Sequence, residues 1–500
     1  MQILTRIKLN SKFIFIIPVI ILPILSYWRV ITFDFWRDDW AYLWTAAHYQ
    51  YQGLFLITLH PATWLEDILL FPILKWNPIL WNILGIIFRI VASLTFYFMM
   101  FTFFKSKNVA LLAGLFLASS PVGIEAIGWT SAHNTTVMMI VICMVFYFWF
   151  LYINKSNYKY LISAYLLLAV AIFLDPGKAL PVFPLILTWE FFRWRFEGMK
   201  NYKRTIVTVL ILVIIVEISY FALPAHIQSK TGLMINDANQ SLAVAIPNFF
   251  SSIGNLLYGS VISMDEFAGQ FPFNPTMEKF ALSFTILVGG LTFAVGFVRK
   301  SKRMLALAFF VVWIIIFYTP AWLFEKGFIA SATHRYLGLS SLGLMAIYAL
   351  IIGSIKNKKL MIILTLLLVI MNVYNSNNIL AKESLHRSRD IVSKIWDPVV
   401  RQVILPSTST IFLFEGNYKL RLSVIDWAGG AIPWPYIVKK GIENNFPKIV
   451  TNRVALLRLL CQDKKGLESL YIWDIDQDMR DVTKLHKEDI SNELTLARCH

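Results

Sequence analysis

Apolar residues run through this chain in long unbroken stretches, and short clusters of lysine and arginine punctuate them. A stretch of roughly 18 or more apolar residues is long enough for a helix to cross a bilayer. The pattern predicts spans at about 13–31, 79–104, 108–119 and 135–153, a fifth ending near Leu174, a sixth ending near Phe192, and two more at about 205–223 and 279–298. A ninth ends near 319, a tenth before Lys356 and the last near 375, about eleven in all. Two connections, 32–78 and 224–278, are far longer than ordinary loops. In the first, Asp34–Gln52 suits a helix lying in the membrane interface. His60-Pro61 interrupts it, and Thr63–Leu70, which carries Glu66 and Asp67, forms a second short helix. In the second, Leu242–Ile262 is apolar but contains Pro247, Asn248, Ser251, Ser252, Gly254 and Asn255, and reads as an interfacial or re-entrant piece.

The basic clusters orient this layout. Lys105 with Lys107, Lys155 with Lys159, Arg193 to Arg204, Arg299 to Arg303 and Lys356 to Lys359 all fall at helix ends on one side, which the positive-inside rule makes the cytoplasm. The outer loops hold only isolated cations: Arg37, Lys75, Lys178, Lys230, Lys326 and Arg335. The long first loop and the carboxyl terminus then lie outside. At the amino terminus Arg6, Lys8 and Lys12 precede an apolar run, as in a signal peptide, but no small-x-small cleavage site precedes Phe33, so the run reads as an uncleaved first helix.

Composition supports the membrane reading. Hydrophobic residues make up 57% of the chain, with 39 Phe and 17 Trp, and the mean hydropathy is +0.61. The net charge of +16 does not indicate nucleic acid, because the cations form no single patch. From about 376 charges return and apolar runs shorten to strand length, at Thr410–Phe414 and Ser469–Trp473, with a short helix at Asn452–Cys461. The expected architecture is therefore an all-α polytopic membrane domain over 1–375 and a small α/β extracytoplasmic domain over 376–500. Cys143 reads as packing, while Cys461 and Cys499 can pair if their region faces an oxidising compartment. Asp474, Asp476 and Asp478 alternate without the glycine and closing glutamate of a calcium loop and read as a solvated turn. No metal site is predicted.

Candidate chemistry concentrates on the outer side. Phe33-Asp34-Phe35-Trp36-Arg37-Asp38-Asp39-Trp40-Ala41-Tyr42 places carboxylates and an arginine among aromatic residues just after the first span. Adjacent carboxylates beside an apolar wall raise each other's pKa, which makes a useful base or acid near neutral pH. Helix termination with an aromatic interfacial belt is the competing reading. Asp38, Asp39, Glu125, His133, Lys178, His334 and Arg335 all sit in outer loops or at outer helix ends. Carboxylates and cations gathered at membrane depth suit a lipid phosphate substrate: the cations hold the phosphate and a carboxylate deprotonates an acceptor hydroxyl. Arg89 and Glu217, within predicted spans, read as structural.

These features resemble the GT-C class of polyprenyl-phosphate-sugar glycosyltransferases, which includes protein O-mannosyltransferases and lipid A aminoarabinose transferases. Arg37-Asp38-Asp39-Trp40-Ala41-Tyr42 resembles the acid-acid motif of that class, Pro121, Glu125, Ala126 and Trp129 resemble its second-loop pattern, and His334-Arg335-Tyr336-Leu337 resembles an Arg-Tyr-Leu pattern before a late helix. The resemblance covers roughly 1–375. It implies catalytic Asp38, Asp39 and Glu125, with Arg37, His133, Lys178, His334, Arg335 and Tyr336 binding substrate. It implies an inverting transfer of a sugar, a hexose such as glucose, from undecaprenyl or a similar polyprenyl phosphate to an envelope glycan such as O-antigen lipopolysaccharide. It places the enzyme in a bacterial inner membrane with its site on the periplasmic side. No cofactor is called for, and a divalent metal is left open. Gly177-Lys178 stands where many bacterial relatives have Lys-Glu, and His133 or Asn134 where they have arginine, which leaves the donor sugar open. A lipid-linked sugar flippase, a non-catalytic scaffold, and transfer to protein or lipid A are the alternatives; a flippase predicts midplane polar residues and related halves, and few of the former and no clear repeat are found.

Overall fold

The computed structural model describes residues 16–36, 38–55, 61–197, 302–324, 334–403, 410–416, 434–441, 447–450, 452–462, 464–476 and 480–496, with isolated positions between 206 and 290. The described residues are mostly helical. The helices are α1 (Ile17–Tyr27), α2 (Asp38–Tyr49), α3 (Pro61–Leu74), α4 (Pro78–Phe104), α5 (Lys107–Ser119), α6 (His133–Lys155), α7 (Tyr158–Leu174), α8 (Val182–Glu197), α9 (Lys302–Phe324), α10 (Gly338–Gly353), α11 (Lys358–Arg387) and α12 (Arg389–Gln402). The chain divides into two compact units. The first comprises Met1–Val30, Leu56–Leu65 and Asn82–Leu380; the second comprises Ile31–Phe55, Glu66–Trp81 and Ala381–His500.

Among the described residues, four segments are long and apolar enough to cross a membrane: Pro78–Phe104, Thr130–Lys155, Arg335–Gly353 and Lys358–Arg387. Ile17–Thr32, Lys107–Ser119, Tyr158–Leu174 and Arg303–Thr319 are apolar but shorter. Ile162, Leu166, Val170 and Phe173 lie on one exposed face of α7, and Ile363, Leu366, Leu367 and Ile370 on one face of α11. Apolar faces that no protein covers fit a lipid environment, where helices satisfy their own backbone groups. The spans expected at about 205–223 and 279–298, and most of the 224–278 loop, lie outside the described residues, so these helices set no total.

Within the first unit an aromatic cluster packs the bundle: Phe103, Phe146, Phe150, Trp189, Phe309 and Trp313 meet in T-shaped or tilted pairs at centroid separations of 4.3 to 6.3 Å. Gly343 lets α10 lie close to α9, since a Cβ there would sit 2.8 Å from the Phe310 carbonyl oxygen. Polar groups converge on the turn that ends α5. Tyr27 Oη and Arg89 Nη2 both donate to the Ser120 carbonyl, at 2.6 and 3.2 Å. From α11, Asn372 Nδ2 donates to Ser119 Oγ at 3.4 Å and Ser376 Oγ to the Ser119 carbonyl at 3.2 Å. The fully buried Arg89 is thus held by a carbonyl, by Met139 Sδ at 4.0 Å and by the face of Tyr27 rather than by a carboxylate. These bonds also explain why α11 continues to Arg387, beyond the end expected near 375: Asn372, Asn375 and Ser376 are buried polar residues of the helix, and two of them bond to this turn.

In the second unit, β1 (Ile411–Glu415), β2 (Lys448–Val450), β3 (Leu470–Asp474) and β4 (Arg480–Asp481) form a mixed sheet in the order β2-β1-β3-β4. β1 runs parallel to β2 and β3, and β4 pairs antiparallel with β3. Ile411, Leu413 and Ile472 pack against Leu456, Leu460 and Ile490 of α14 (Arg453–Gln462) and α15 (Thr483–Leu496); a shorter helix, α13 (Trp434–Lys440), precedes β2. Cys461 is in a disulfide and Cys143 is free; Cys499, the partner expected from the sequence, lies outside the described residues.

At the end of β1 the Glu415 carboxylate accepts from Arg453 Nε at 2.9 Å and lies 2.8 Å from His486 Nδ1, while Arg453 also reaches Glu493 at 3.0 Å. Burial alone would raise the Glu415 pKa, but hydrogen bonds and charge from Arg453 and His486 outweigh it and hold the carboxyl below its usual range. A lowered carboxyl contributes stability above its unfolded pKa and loses it as pH falls through the folded one. Glu415→Gln is expected to lower the thermal midpoint at neutral pH, with the deficit shrinking progressively as pH falls below about 4; melting curves across pH check this.

Candidate active site

A cluster of ionisable groups in the first unit is built on the segment between α5 and α6. Gly123, at φ +69°, turns the chain against the start of α10, where its Cβ would lie 3.0 Å from Gly338 Cα. A single helical turn, Glu125–Gly128, follows, and Trp129 leads into α6. His133 opens α6 and is completely buried. Its Nε2 lies 3.3 Å from the Ile127 carbonyl, which places it as a strut of the loop. Gly85 of α4, lacking a Cβ, accommodates both groups.

Glu125 is fully buried and faces Arg335. Its Oε2 accepts from the Arg335 backbone N–H at 2.9 Å and from Nη1 at 3.3 Å, and His334 Nε2 lies 3.9 Å away. His334 caps the turn Arg335–Leu337 by accepting the Tyr336 N–H at 3.3 Å. The Arg335 guanidinium lies 4.3 Å from the centroid of Trp129 and 4.6 Å from that of Tyr336. Its side chain is 22% exposed while its carboxylate partner is sealed. The guanidinium is thus held by one buried carboxylate beside two rings, and its Nη2 also donates to Tyr336 Oη at 3.4 Å. Lys178 in the same unit is otherwise engaged. Asp175 caps the turn Pro176–Ala179, and Lys178 Nζ binds Asp175 Oδ2 at 2.7 Å and Asn134 Oδ1 at 3.0 Å.

In the second unit the acidic stretch leads into α2. Asp38 is its first residue and half-buried, whereas Asp39 is 2% exposed. Asp39 Oδ2 accepts the Trp36 N–H at 3.0 Å, a short capping contact that fixes the entry into the helix. Trp40 Nε1 donates to the Phe35 carbonyl at 3.1 Å, and Phe35, Trp40 and Trp76 pack together at 5.2 to 6.2 Å. Arg387 lies 4.0 Å over Trp36 and 4.8 Å over Phe33, and its carbonyl accepts the Asp34 N–H at 2.9 Å. Arg37 lies outside the described residues. Glu66 and Asp67 of α3, at 8% and 1% exposure, add two buried carboxylates to this unit. The signal for them in the sequence is an adjacent acid pair in the otherwise apolar Pro61–Leu74. Of the expected residues, the structure brings Glu125, His334, Arg335 and Tyr336 together, and separately sets Asp38 beside Asp39.

Burial raises Asp34 to about 6, against the pull of the Phe35 N–H and of the Lys439 and Arg389 charges. A raised carboxyl stabilises the folded state at low pH, and that contribution is lost as pH rises through about 6. Asp34→Asn, which keeps the acceptor, is expected to stabilise the protein above neutrality by at most about 3 kcal/mol and not below about pH 4, as thermal unfolding against pH will show. A second outcome concerns Gly85. A Cβ there would enter contact distance of the Ile127 carbonyl oxygen and lie 2.6 Å from His133 Nε2. Gly85→Ala should therefore cost about 1–3 kcal/mol, read as a lowered midpoint in the same assay.

The chain matches no protein-family model, and no curated protein matches its sequence. Solved structures do match. The oligosaccharyltransferase of Archaeoglobus fulgidus tethered with an acceptor peptide containing the NVT sequon superposes with a TM-score of 0.50 at 12% identity, covering 97% of this chain and 72% of that one. This chain shares that enzyme's fold. It is the GT-C type of membrane fold that the sequence motifs resemble. Two further structures of the A. fulgidus enzyme align less well. AglB in complex with an inhibitory peptide and a dolichol-phosphate gives a TM-score of 0.49 at 11% identity over 98% of this chain and 72% of that one. The complex with Zn and sulfate gives 0.46 at 12% identity over 92% and 67%.

Proposed function

We propose that this protein is an inverting glycosyltransferase that moves a sugar, a hexose such as glucose, from a polyprenyl phosphate carrier to a hydroxyl of an envelope glycan on the outer face of the membrane. The observation that carries the reading is Arg335, anchored by the buried Glu125, lying beside the rings of Trp129 and Tyr336 and 22% exposed. A fixed, partly desolvated guanidinium is suited to a lipid phosphate, and the rings beside it are suited to the apolar face of a pyranose. The shared GT-C fold supports the same reading.

In this reading Asp38 takes the acceptor hydroxyl proton, the acceptor oxygen bonds to the anomeric carbon from the face opposite the phosphate, and the bond from that carbon to the phosphate oxygen breaks. Polyprenyl phosphate leaves with the electron pair. Asp39 has a separate task, since its carboxylate holds the Trp36 N–H at the start of α2. Glu125 acts through Arg335, and His133 through the loop that carries Glu125. Lys178 reaches phosphate only by leaving Asp175 and Asn134.

Purified wild-type protein given short-chain polyprenyl-phosphate glucose and crude envelope glycan is expected to release free polyprenyl phosphate. Asp38→Asn should slow release by about a hundredfold or more. Arg335→Lys, which keeps the charge but loses the planar fork, should weaken use of the donor. Release unchanged in Asp38→Asn would move the base to another carboxylate, and release by neither protein with any polyprenyl-phosphate sugar would overturn the reading.

A further inference from the structure

The segment that carries Asp38 into α2 is held from the carboxyl-terminal part of the chain. Phe33 and Ser388 form an isolated antiparallel bridge, and the Asp34 N–H donates to the Arg387 carbonyl at 2.9 Å. The Arg387 side chain covers the same segment: its guanidinium lies 4.8 Å from the centroid of Phe33 and 4.0 Å from that of Trp36. All three side chains are buried, Arg387 at 2% exposure. Lys439, Arg389 and Asp397, whose charges act on the Asp34 carboxylate, belong to the same part of the chain, and α13 packs against α2 itself. These residues lie within one compact unit, which joins Ile31–Phe55 to Ala381–His500. An arginine suits this place. A guanidinium is flat and weakly hydrated, so it can lie buried on ring faces, and the rings attract it more strongly once water is excluded.

We propose that Arg387 is a positioning residue for Asp38: it fixes Phe33 and Trp36, and through them the point at which Asp38 enters α2. The inference rests on the proposed role of Asp38 as the base. Asp38 is flanked by held residues. Before it, Phe33, Asp34 and Trp36 are bound to Arg387 or its neighbour Ser388. After it, Asp39 binds the Trp36 N–H and so ties the helix start to the same segment. A base works only within hydrogen-bond reach of the proton it takes. A displacement of about an ångström, caused by a change away from the reacting atoms, can cost about a hundredfold in rate. Through Arg387 the carboxyl-terminal residues therefore bear on the rate of transfer.

The test places Arg387→Ala in two backgrounds, in the full-length protein in nanodiscs supplied with short-chain polyprenyl-phosphate glucose and crude envelope glycan. In the wild-type background it should lower the maximal rate of polyprenyl phosphate release by about tenfold to a hundredfold and leave half-saturation by the donor unchanged. In Asp38→Asn, where no base is left to aim, the same substitution should lower the residual release by less than about twofold. Phe33→Leu, which keeps an apolar side chain and removes the ring face, should show the same pattern and guards against a folding defect of one variant. Amide hydrogen exchange, read without turnover, should quicken over 33–36 in both variants and stay unchanged in the four-stranded sheet. Losses by an equal factor in both backgrounds overturn the proposal, because Arg387 then supports the fold rather than Asp38. An undiminished rate, or exchange unchanged over 33–36, overturns it as well. Undiminished release in Asp38→Asn overturns the reading of Asp38 as base, and this proposal with it. Release by no protein with any polyprenyl-phosphate sugar overturns the donor reading, and the exchange rates still decide whether Arg387 holds the segment.

Discussion

Arg335 stays partly exposed while its carboxylate partner, Glu125, is sealed. The carboxylate is sealed from water and spends one oxygen on both the backbone N–H and the guanidinium of Arg335. A buried charge pair of this kind is weak evidence of stability, since desolvation offsets much of its attraction. Its consequence is direction. Breaking one partner leaves the other charge uncompensated, so the loop carrying Glu125 and the turn carrying Arg335 are obliged to stay together. The rings of Trp129 and Tyr336 lie against the guanidinium at 4.3 and 4.6 Å. Gly123, Gly85 and His133 matter because they bring the loop close enough for that pair to form.

The same rule, that polar groups inside an apolar bundle must find partners there, explains the turn at Ser119-Ser120. Tyr27, Arg89, Asn372 and Ser376 come from three helices to two residues' worth of carbonyl and hydroxyl. Lipid offers these groups nothing. They mark where α1, α4 and α11 meet the end of α5, immediately before the loop that bears Glu125. Packing in the membrane and placement of the loop are therefore settled by one set of hydrogen bonds.

Much of this is legible in the pattern of residues, and the illegible part has a physical reason. Apolar runs of sufficient length identify α4, α6, α10 and α11 because a lipid-spanning helix has no other way to satisfy its backbone. The pattern ends α11 near 375 because asparagine and serine ordinarily mark a surface; here Asn372 and Ser376 are buried against another helix, and no local pattern reveals a partner more than 250 positions away. Glu125 and Arg335 stand out singly as charged residues at helix ends, yet the bond between them spans 210 positions and belongs to the fold. His133 and Lys178 show the reverse. Their chemistry suits substrate binding, and their surroundings occupy them with Ile127 and with Asp175 and Asn134.

The adjacent acids Asp38 and Asp39 show why identity alone cannot assign a base. Repulsion between neighbouring carboxylates is symmetric and gives no reason to prefer either. The helix breaks the symmetry. At the first position of α2, Asp38 remains half-buried. At the second, Asp39 is turned back to the Trp36 N–H and buried. A carboxylate committed to a backbone donor is stabilised as an anion. The same helical geometry that makes acids good residues for a helix start therefore divides the pair into one that holds the turn and one that stays half-buried at the helix start.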